Sequence, residues 1–374
     1  MDFELSEEET AISQLARQII GDKVTSSRLS ELGSDFDRET WEQLAKANLL
    51  GISLSEQQGG SGLGFLATAT ILEEVGRFAA PLPILSTIVM GAMPIDFFGN
   101  ERIKAELIPS VIAGEIILTG ALVEYDGTSR VPTMKAFKEA EGWRLQGTKI
   151  CVPNGMDAHF ALVPAATQSG GVGIFIVDLN DKGVTRVGQT TTSGQLEARI
   201  ELADCYVGPD RVLGDPQADP GRGAEIVTWI EERTIAGICM ITAGLCQEAL
   251  RLTAEYAKTR EQFERPIGSF QAVAQRCADA YIDTEGIRLT ALQAAWRLDA
   301  GMDATKAVAI AKYWASDAGQ RVLLAAQHIH GGVGVDRDYP LHRYFLAAKV
   351  AELTLGGASM HLSHLGEILA QEPV

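Results

Sequence analysis

The sequence predicts an α+β multidomain protein. A helical N-terminal domain spans residues 1–118, a central antiparallel β domain 119–227, and a helical C-terminal domain of four-helix-bundle type 228–374. Three observations carry this. Apolar residues recur every three or four positions on both flanks, short runs rich in β-branched residues fill the middle, and Gly, Asn, Asp and Ser separate those runs.

Taken in order, Ser6 followed by Glu9 predicts a capping box before Ile12, Leu15, Ile19 and Ile20, the apolar positions of a first helix. A second helix runs from near Asp37 to Leu50. Gly51, Gly59, Gly60, Gly62 and Gly64 punctuate the loop after it, and helical spacing resumes at Ala67–Arg77 and again after Pro83. The central runs are Gly142–Val152, Phe160–Val163, Val172–Val177 and Ala198–Leu202. No crossover helix fits between them, which excludes a parallel dinucleotide-binding sheet. From about Ala224 the helical period returns. Ile238, Ile241, Leu245, Ala249, Leu252 and Tyr256 make one stripe, and Phe270–Leu298 and Ala304–Ile329 continue in that style. Such helices form a bundle with surface left over for subunit packing.

Composition narrows the function. With 46% hydrophobic and 22% charged residues in 374, the chain has the make-up of a globular protein with a large core. A formal charge of −17 repels a phosphate backbone, so nucleic acid is excluded as a partner. The acidic N-terminus lacks the features of a secretory signal, and the apolar stretch Leu82–Phe98, interrupted by Pro83, Pro94 and Asp96, is too short to span a bilayer. A cytoplasmic location is the expectation. The five cysteines include no Cys-x-x-Cys pair, which fits a reducing compartment, and Cys239 and Cys246, seven apart, read as buried thiols. The six histidines have no metal-ligand spacing, so no metal is expected.

Two segments carry chemistry. In Arg260-Glu-Gln-Phe-Glu-Arg-Pro-Ile-Gly-Ser-Phe-Gln271 a guanidinium, a ring three residues on and a Pro-Ile-Gly turn suit phosphate oxygens and a purine. In Gln327-His-Ile-His-Gly-Gly-Val-Gly334 successive glycines let backbone N–H groups approach an anion closely, with Gln327 supplying a further polar group.

With the helix–β–helix order, these segments resemble the acyl-CoA dehydrogenase family along essentially the whole chain. Leu49–Gly62 is similar to a family loop, Gly147-Thr-Lys-Ile-Cys-Val-Pro-Asn-Gly155 to its central strand, and Glu255-Tyr-Ala-Lys-Thr-Arg-Glu-Gln-Phe263 and Gln327-x-x-His-Gly-Gly332 to two of its motifs. The resemblance implies FAD shared across a subunit interface, an acyl-CoA thioester substrate, and electron-transfer flavoprotein as acceptor. A carboxylate takes the α-proton while the β-hydrogen leaves as hydride. It also implies that Arg260, Phe263, Gln271, Gln327, Gly331 and Gly332 grip the adenosine and diphosphate of a neighbour's FAD.

The departures from the family pattern cluster elsewhere. The motif Leu-Thr-Glu-Pro-x-x-Gly-Ser-Asp, which lines the family's own flavin, stands here as Leu122-Val-Glu-Tyr-Asp-Gly-Thr-Ser-Arg130. Val123 loses a hydroxyl, Tyr125 replaces a turn proline and Arg130 reverses a charge. Cys151 stands where an aromatic is usual, and Pro153 replaces a Thr or Ser whose N–H and hydroxyl face the flavin. The usual base position is Leu355, and the second known one aligns with Thr234. Glu264, where Gly is usual, is a smaller departure.

The expectation is therefore a subunit that lacks the catalytic Glu and completes a paralogue's FAD site in an α2β2 assembly. Gln327-x-x-His-Gly-Gly332 and Leu341-His-Arg-Tyr344 resemble the actinobacterial heteromeric branch acting on sterol side-chain CoA esters. Two alternatives remain: a self-sufficient homotetramer with Glu231 or Glu232 as relocated base, and a non-redox binding or scaffold protein of the same fold.

Overall fold

The Ser6 hydroxyl accepts from the Glu9 N–H at 3.1 Å and the Glu9 carboxylate accepts from the Ser6 N–H at 2.8 Å. This is the reciprocal capping box that starts helix α1 (Glu7–Lys23). The structure is a computed structural model describing residues 3–371; residues 1–2 and 372–374, the outer ends of the segments 1–118 and 228–374, lie outside the described residues. The α1 stripe is Ile12, Ala16 and Ile20, with Leu15 41% exposed. Position 15 lies beside the stripe that the four-residue steps from Ile12 select.

Helices α2 (Ser26–Leu32), α3 (Arg38–Lys46), α4 (Gly64–Arg77), α5 (Met93–Phe98) and α6 (Glu101–Ile112) follow. α5 continues a π-helical stretch, Leu85–Ala92. The second predicted helix stops at Lys46 instead of Leu50, because Asn48 turns to φ 57°.

Contacts divide the chain into two compact units, each discontinuous in sequence. One is Met1–Leu32, Phe65–Pro81 and Ile235–Val374; the other is Gly33–Gly64 and Leu82–Thr234.

The second unit holds the β sheet. Its strands are β1 (Leu118–Gly120), β2 (Lys135–Glu139), β3 (Gly142–Pro153), β4 (Phe160–Thr167), β5 (Val172–Asp178), β6 (Val184–Thr190), β7 (Leu196–Val207) and β8 (Val212–Leu213). They run in the order β6-β7-β3-β2-β4-β5-β8, with β1 on β4. The sheet is mixed, which corrects the antiparallel expectation: β1 and β2 both pair parallel with β4. The reason is local. β2 and β3 form an antiparallel hairpin and β7 takes the far side of β3, so β4 joins the open edge of β2 and runs in its direction. The four predicted strand runs all fall in strands; β2 and β6, whose residues are mostly exposed or half-buried, carry weaker patterns.

A buried ion pair ties the sheet to the segment after β1. Lys149 Nζ lies 2.5 Å from Glu124 Oε1, with 0% and 1% side-chain exposure. Glu124 also accepts from the Thr133 and Met134 N–H groups at 2.6 and 3.3 Å. Burial pulls its pKa up, but the Lys149 and Thr133 hydrogen bonds outweigh this and hold it below the usual carboxylate value.

The first unit is helical. The long α7 (Arg222–Thr259) contributes residues from Ile235 onward and is followed by α8 (Gln271–Asp299), α9 (Thr305–His330), α10 (Leu341–Leu353) and α11 (Ala358–Ala370). An 18-residue window of α7 is apolar enough to cross a membrane by length and composition, but 67% of it is buried inside the protein, as in a core helix. α4 and α7 touch backbone to backbone: a Cβ on Gly76 would meet the Ile241 carbonyl oxygen at 2.0 Å, and one on Gly244 that of Glu73 at 1.9 Å. Beside this crossing the buried Glu74 accepts from Arg17 and Arg77, each at 2.9 Å from Nε.

All five cysteines are free thiols, and Cys239 and Cys246 are buried as their spacing indicates. Burial pushes the Cys239 thiol up to about 12, with Lys312 opposing. Among the described residues no group of His, Cys, Asp and Glu is arranged to hold a metal ion.

Candidate functional site

α7 ends where the first motif begins. The Arg260 N–H donates to the Tyr256 carbonyl at 2.8 Å, and the chain then folds into a small hairpin of β9 (Glu261–Gln262) and β10 (Arg265–Pro266). Its two turn residues, Phe263 and Glu264, have φ of 54° and 64°, the sign a type I′ turn requires and one that glycine and asparagine usually supply. The strained turn holds the Phe263 ring in the open, 87% exposed, edge-on to Phe270 with centroids 6.1 Å apart. Arg265 lies over the other ring, 4.1 Å from the Phe270 centroid. The exposed Arg260 guanidinium has no hydrogen bond or ion pair among the described residues, and Gln271 opens α8, also exposed.

Glu264 occupies a left-handed position that a side chain disfavours by about 1–2 kcal/mol. Glu264→Gly is therefore expected to raise unfolding free energy by about 0.5–1 kcal/mol after the entropy cost of glycine. A higher urea midpoint at unchanged slope would show it; an unchanged or lower midpoint would mean that the turn is not strained.

The second motif closes α9. Gly331 caps the helix, its N–H directed at the Gln327 and His328 carbonyls, with φ 61° and ψ −137°, a conformation that glycine alone adopts freely. Gly332 has no positive φ, and a Cβ on either glycine would meet nothing within 4 Å. Nothing in this chain's own packing therefore requires glycine at 332. The clearance faces outward, where a ligand or another chain would approach.

His330 joins the two motifs. Its ring stacks on Tyr256 at 4.4 Å, while Nδ1 lies 2.8 Å from the Ala326 carbonyl and Nε2 3.0 Å from the Tyr339 hydroxyl. Tyr256 is one turn before Arg260, so the stack sets the end of α9 beside the end of α7. Burial pulls the His330 pKa down, with the Ala326 carbonyl opposing, and the ring is a neutral packing element.

A groove of about 900 Å³ runs between α8 and α9, and Arg276, Ile282, Leu324 and Gln327 line it. Arg276 donates to His328 Nδ1 at 2.6 Å, which fixes the His328 tautomer with its remaining N–H on Nε2. Tyr281, Ile282 and Leu324 are 59%, 65% and 49% exposed, an apolar patch on the surface of the bundle. Sequence reasoning missed Arg276 and the Arg265–Phe270 pair. The step from Gln271 to Arg276 along one helix was the available signal.

The two base positions hold no acid. Leu355, at φ 54° just past α10, accepts at its carbonyl from His361 Nε2 at 2.9 Å. Thr234 is buried and its hydroxyl donates to the Ile230 carbonyl at 2.7 Å. Glu352, three residues before Leu355, pairs with Lys349 at 2.5 Å. Glu231 accepts from Arg130 Nε at 2.7 Å and from the Ser129 hydroxyl. The charge reversal at Arg130 thus finds its partner in one of the two candidate carboxylates. Glu232 is half-buried.

The segments that resemble an own-flavin wall are short of donors. Pro153 has no N–H, the Ile150 N–H donates to the Val123 carbonyl at 3.0 Å, and the Cys151 N–H donates to Gln189 at 3.0 Å. A β-bulge between Lys149 and Val152 turns Cys151 to φ 50° and exposes it. Tyr125 is 69% exposed.

Residues 6–115 match the acyl-CoA dehydrogenase N-terminal domain and residues 221–370 its C-terminal domain. The chain is 38% identical to acyl-CoA dehydrogenase FadE27 of Mycobacterium tuberculosis over 100% of both proteins. Among solved structures it is similar to a chain of the ChsE4-ChsE5 complex of Mycobacterium tuberculosis, with 39% identity, TM-score 0.94 and 100% of both chains covered. It is also similar to a chain of the Tcur3481-Tcur3483 steroid ACAD, with 38% identity, TM-score 0.90 and 98% of each chain covered. The helical ends, the mixed sheet between them and these whole-length likenesses agree, and the chain belongs to the acyl-CoA dehydrogenase family of enzymes.

Proposed function

We propose that this chain is the partner subunit of a heteromeric, FAD-dependent acyl-CoA dehydrogenase, and that it completes a paralogue's FAD site without supplying the base. One observation carries the reading. The half-site at Arg260, Phe263, Gln271, Gln327, Gly331 and Gly332 keeps the Arg260, Gln271 and Gln327 side chains without hydrogen bonds among the described residues and leaves clear space beside both glycines, whereas beside Val123 the Ile150 and Cys151 N–H groups are occupied and Pro153 has none.

The residues present in the first half fit a dinucleotide. Arg260 would hold the diphosphate by charge-assisted hydrogen bonds, Phe263 would cover the adenine, and Gly331 and Gly332 would let backbone N–H groups approach. Bound FAD supplies the hydride acceptor for α,β-dehydrogenation of the thioester. This chain's task is to bind and orient the adenosine end from across the interface, while the paralogue provides the carboxylate that takes the α-proton. The exposed apolar face of α8 and α9 is the surface for that α2β2 assembly.

The steroid ACAD relative supports a sterol side-chain CoA ester as substrate class, and the family supports electron-transfer flavoprotein as acceptor. In this reading the functional domains are residues 1–118, 119–227 and 228–374, and the complex works in the cytoplasm. The pairing of Glu231 with Arg130 and Ser129 weighs against Glu231 as the relocated base of a self-sufficient homotetramer. Expressed alone, the chain should purify without flavin absorbance; co-expressed with a neighbouring paralogue, it should carry flavin that bleaches with acyl-CoA. Stoichiometric flavin and bleaching in the lone chain would overturn the reading, and flavin absent with every partner would favour a scaffold role.

A further inference from the structure

Most arginines of this acidic chain sit against carboxylates, as Arg17, Arg77, Arg130 and Arg321 do. Arg337 and Arg343 do not; neither has an ion pair among the described residues. Both line a small pocket of about 190 Å³ between α2 and the start of α10, together with Ser26, Ser27, Ser30 and Asp338. Arg343 is fixed there: its Nη2 donates to the Ser30 hydroxyl at 2.9 Å and reaches the Ser26 carbonyl at 3.5 Å. Its Nε is buried and has no hydrogen-bond partner.

From this geometry we propose that the pocket of Arg337, Arg343 and Ser30 is a binding site for a phosphate dianion, either inorganic phosphate or a terminal phosphomonoester. A guanidinium presents two donors in a fixed fork that matches phosphate oxygens, and a buried donor without an acceptor is satisfied when such an oxygen arrives. The Ser30 hydroxyl, which donates to the Ser26 carbonyl at 2.9 Å, and that of Ser27, which donates to Glu31 at 3.3 Å, would turn from these partners to donate to the ligand. Burial also pulls the Arg343 pKa down, and no carboxylate pairs with it, so an anion is the partner this charge lacks. Asp338 on the rim returns one negative charge, which favours a ligand seated toward Arg343. The segments that resemble the flavin-binding motifs do not include these residues, and the site does not rest on the proposed subunit role.

The test is a titration of the full chain with inorganic phosphate at constant ionic strength, followed by phosphorus NMR or calorimetry. Saturation below about 5 mM is expected, with Arg343→Gln or Arg337→Gln weakening it by at least about 10-fold. Competition by coenzyme A but not by its 3′-dephospho form would identify the 3′-phosphate as the source; competition by neither would leave free phosphate. Should Arg343→Gln fail to fold, the exposed Arg337→Gln and Ser30→Ala carry the test. Absence of saturation, or wild-type binding in the folded arginine variants, would overturn the proposal. Neither result bears on flavin content.

Discussion

Lys149→Ala should lower the unfolding free energy by about 3–5 kcal/mol, because it leaves the Glu124 carboxylate buried without its counter-charge. Both side chains are almost wholly excluded from water, and Glu124 also holds the backbone at Thr133 and Met134. Lys149 therefore fastens the Leu122–Arg130 segment to β3. Chemical denaturation measures the loss directly. The double variant Glu124→Gln, Lys149→Met should recover most of it, since no net charge is then buried and the glutamine oxygen still accepts a backbone N–H. A single-variant loss under about 1 kcal/mol would mean that water reaches the pair. On the acid side the sign is set by Glu124: its folded pKa lies below the usual carboxylate value, so its contribution is complete above that value and is lost as pH falls through the folded pKa. This pair maintains the framework of the segment that resembles the family's flavin wall, even though Val123, Cys151 and Pro153 depart from the family pattern.

Arg260→Ala has the second large expected effect. In the complex with its paralogue it should weaken FAD retention by roughly 1.5–3 kcal/mol, or about 10- to 150-fold, by removing a charge-assisted contact. Because the guanidinium is exposed and forms no internal pair, the variant should keep the fold and the melting temperature of the isolated chain. That separation makes the experiment clean. Unchanged FAD affinity in the complex would remove Arg260 from the site, while lost assembly would assign it to subunit packing. By contrast, Leu355→Glu alone is not expected to give the isolated chain activity, since Pro153 still offers no N–H and the Cys151 N–H remains bonded to Gln189.

Much of this was legible in the chain. The capping box at Ser6 and Glu9, the four β-branched runs and the long C-terminal stripes are local patterns. Each follows from a period of 3.6 or 2, or from one side chain reaching a backbone group three residues away. Parallel pairing of β1 and β2 with β4 was not legible, because which edge of a hairpin a later strand takes depends on what already covers the other edge. The same holds for Leu15: its spacing allowed an apolar stripe, but the neighbouring helices buried Ala16 instead.

At the site the division is sharper. Sequence alone determined that Arg260 and Gln327-x-x-His-Gly-Gly332 are present and that Leu355 and Thr234 cannot take a proton, since these are matters of side-chain chemistry. Only the tertiary structure decided that the two motifs meet, through the stack of His330 on Tyr256, and that Glu231 is bound to Arg130 and Ser129. The physical reason is distance along the chain. A residue's chemistry is its own, but whether the Glu231 charge is free or engaged depends on Arg130, about a hundred positions away, and only folding brings the two within reach.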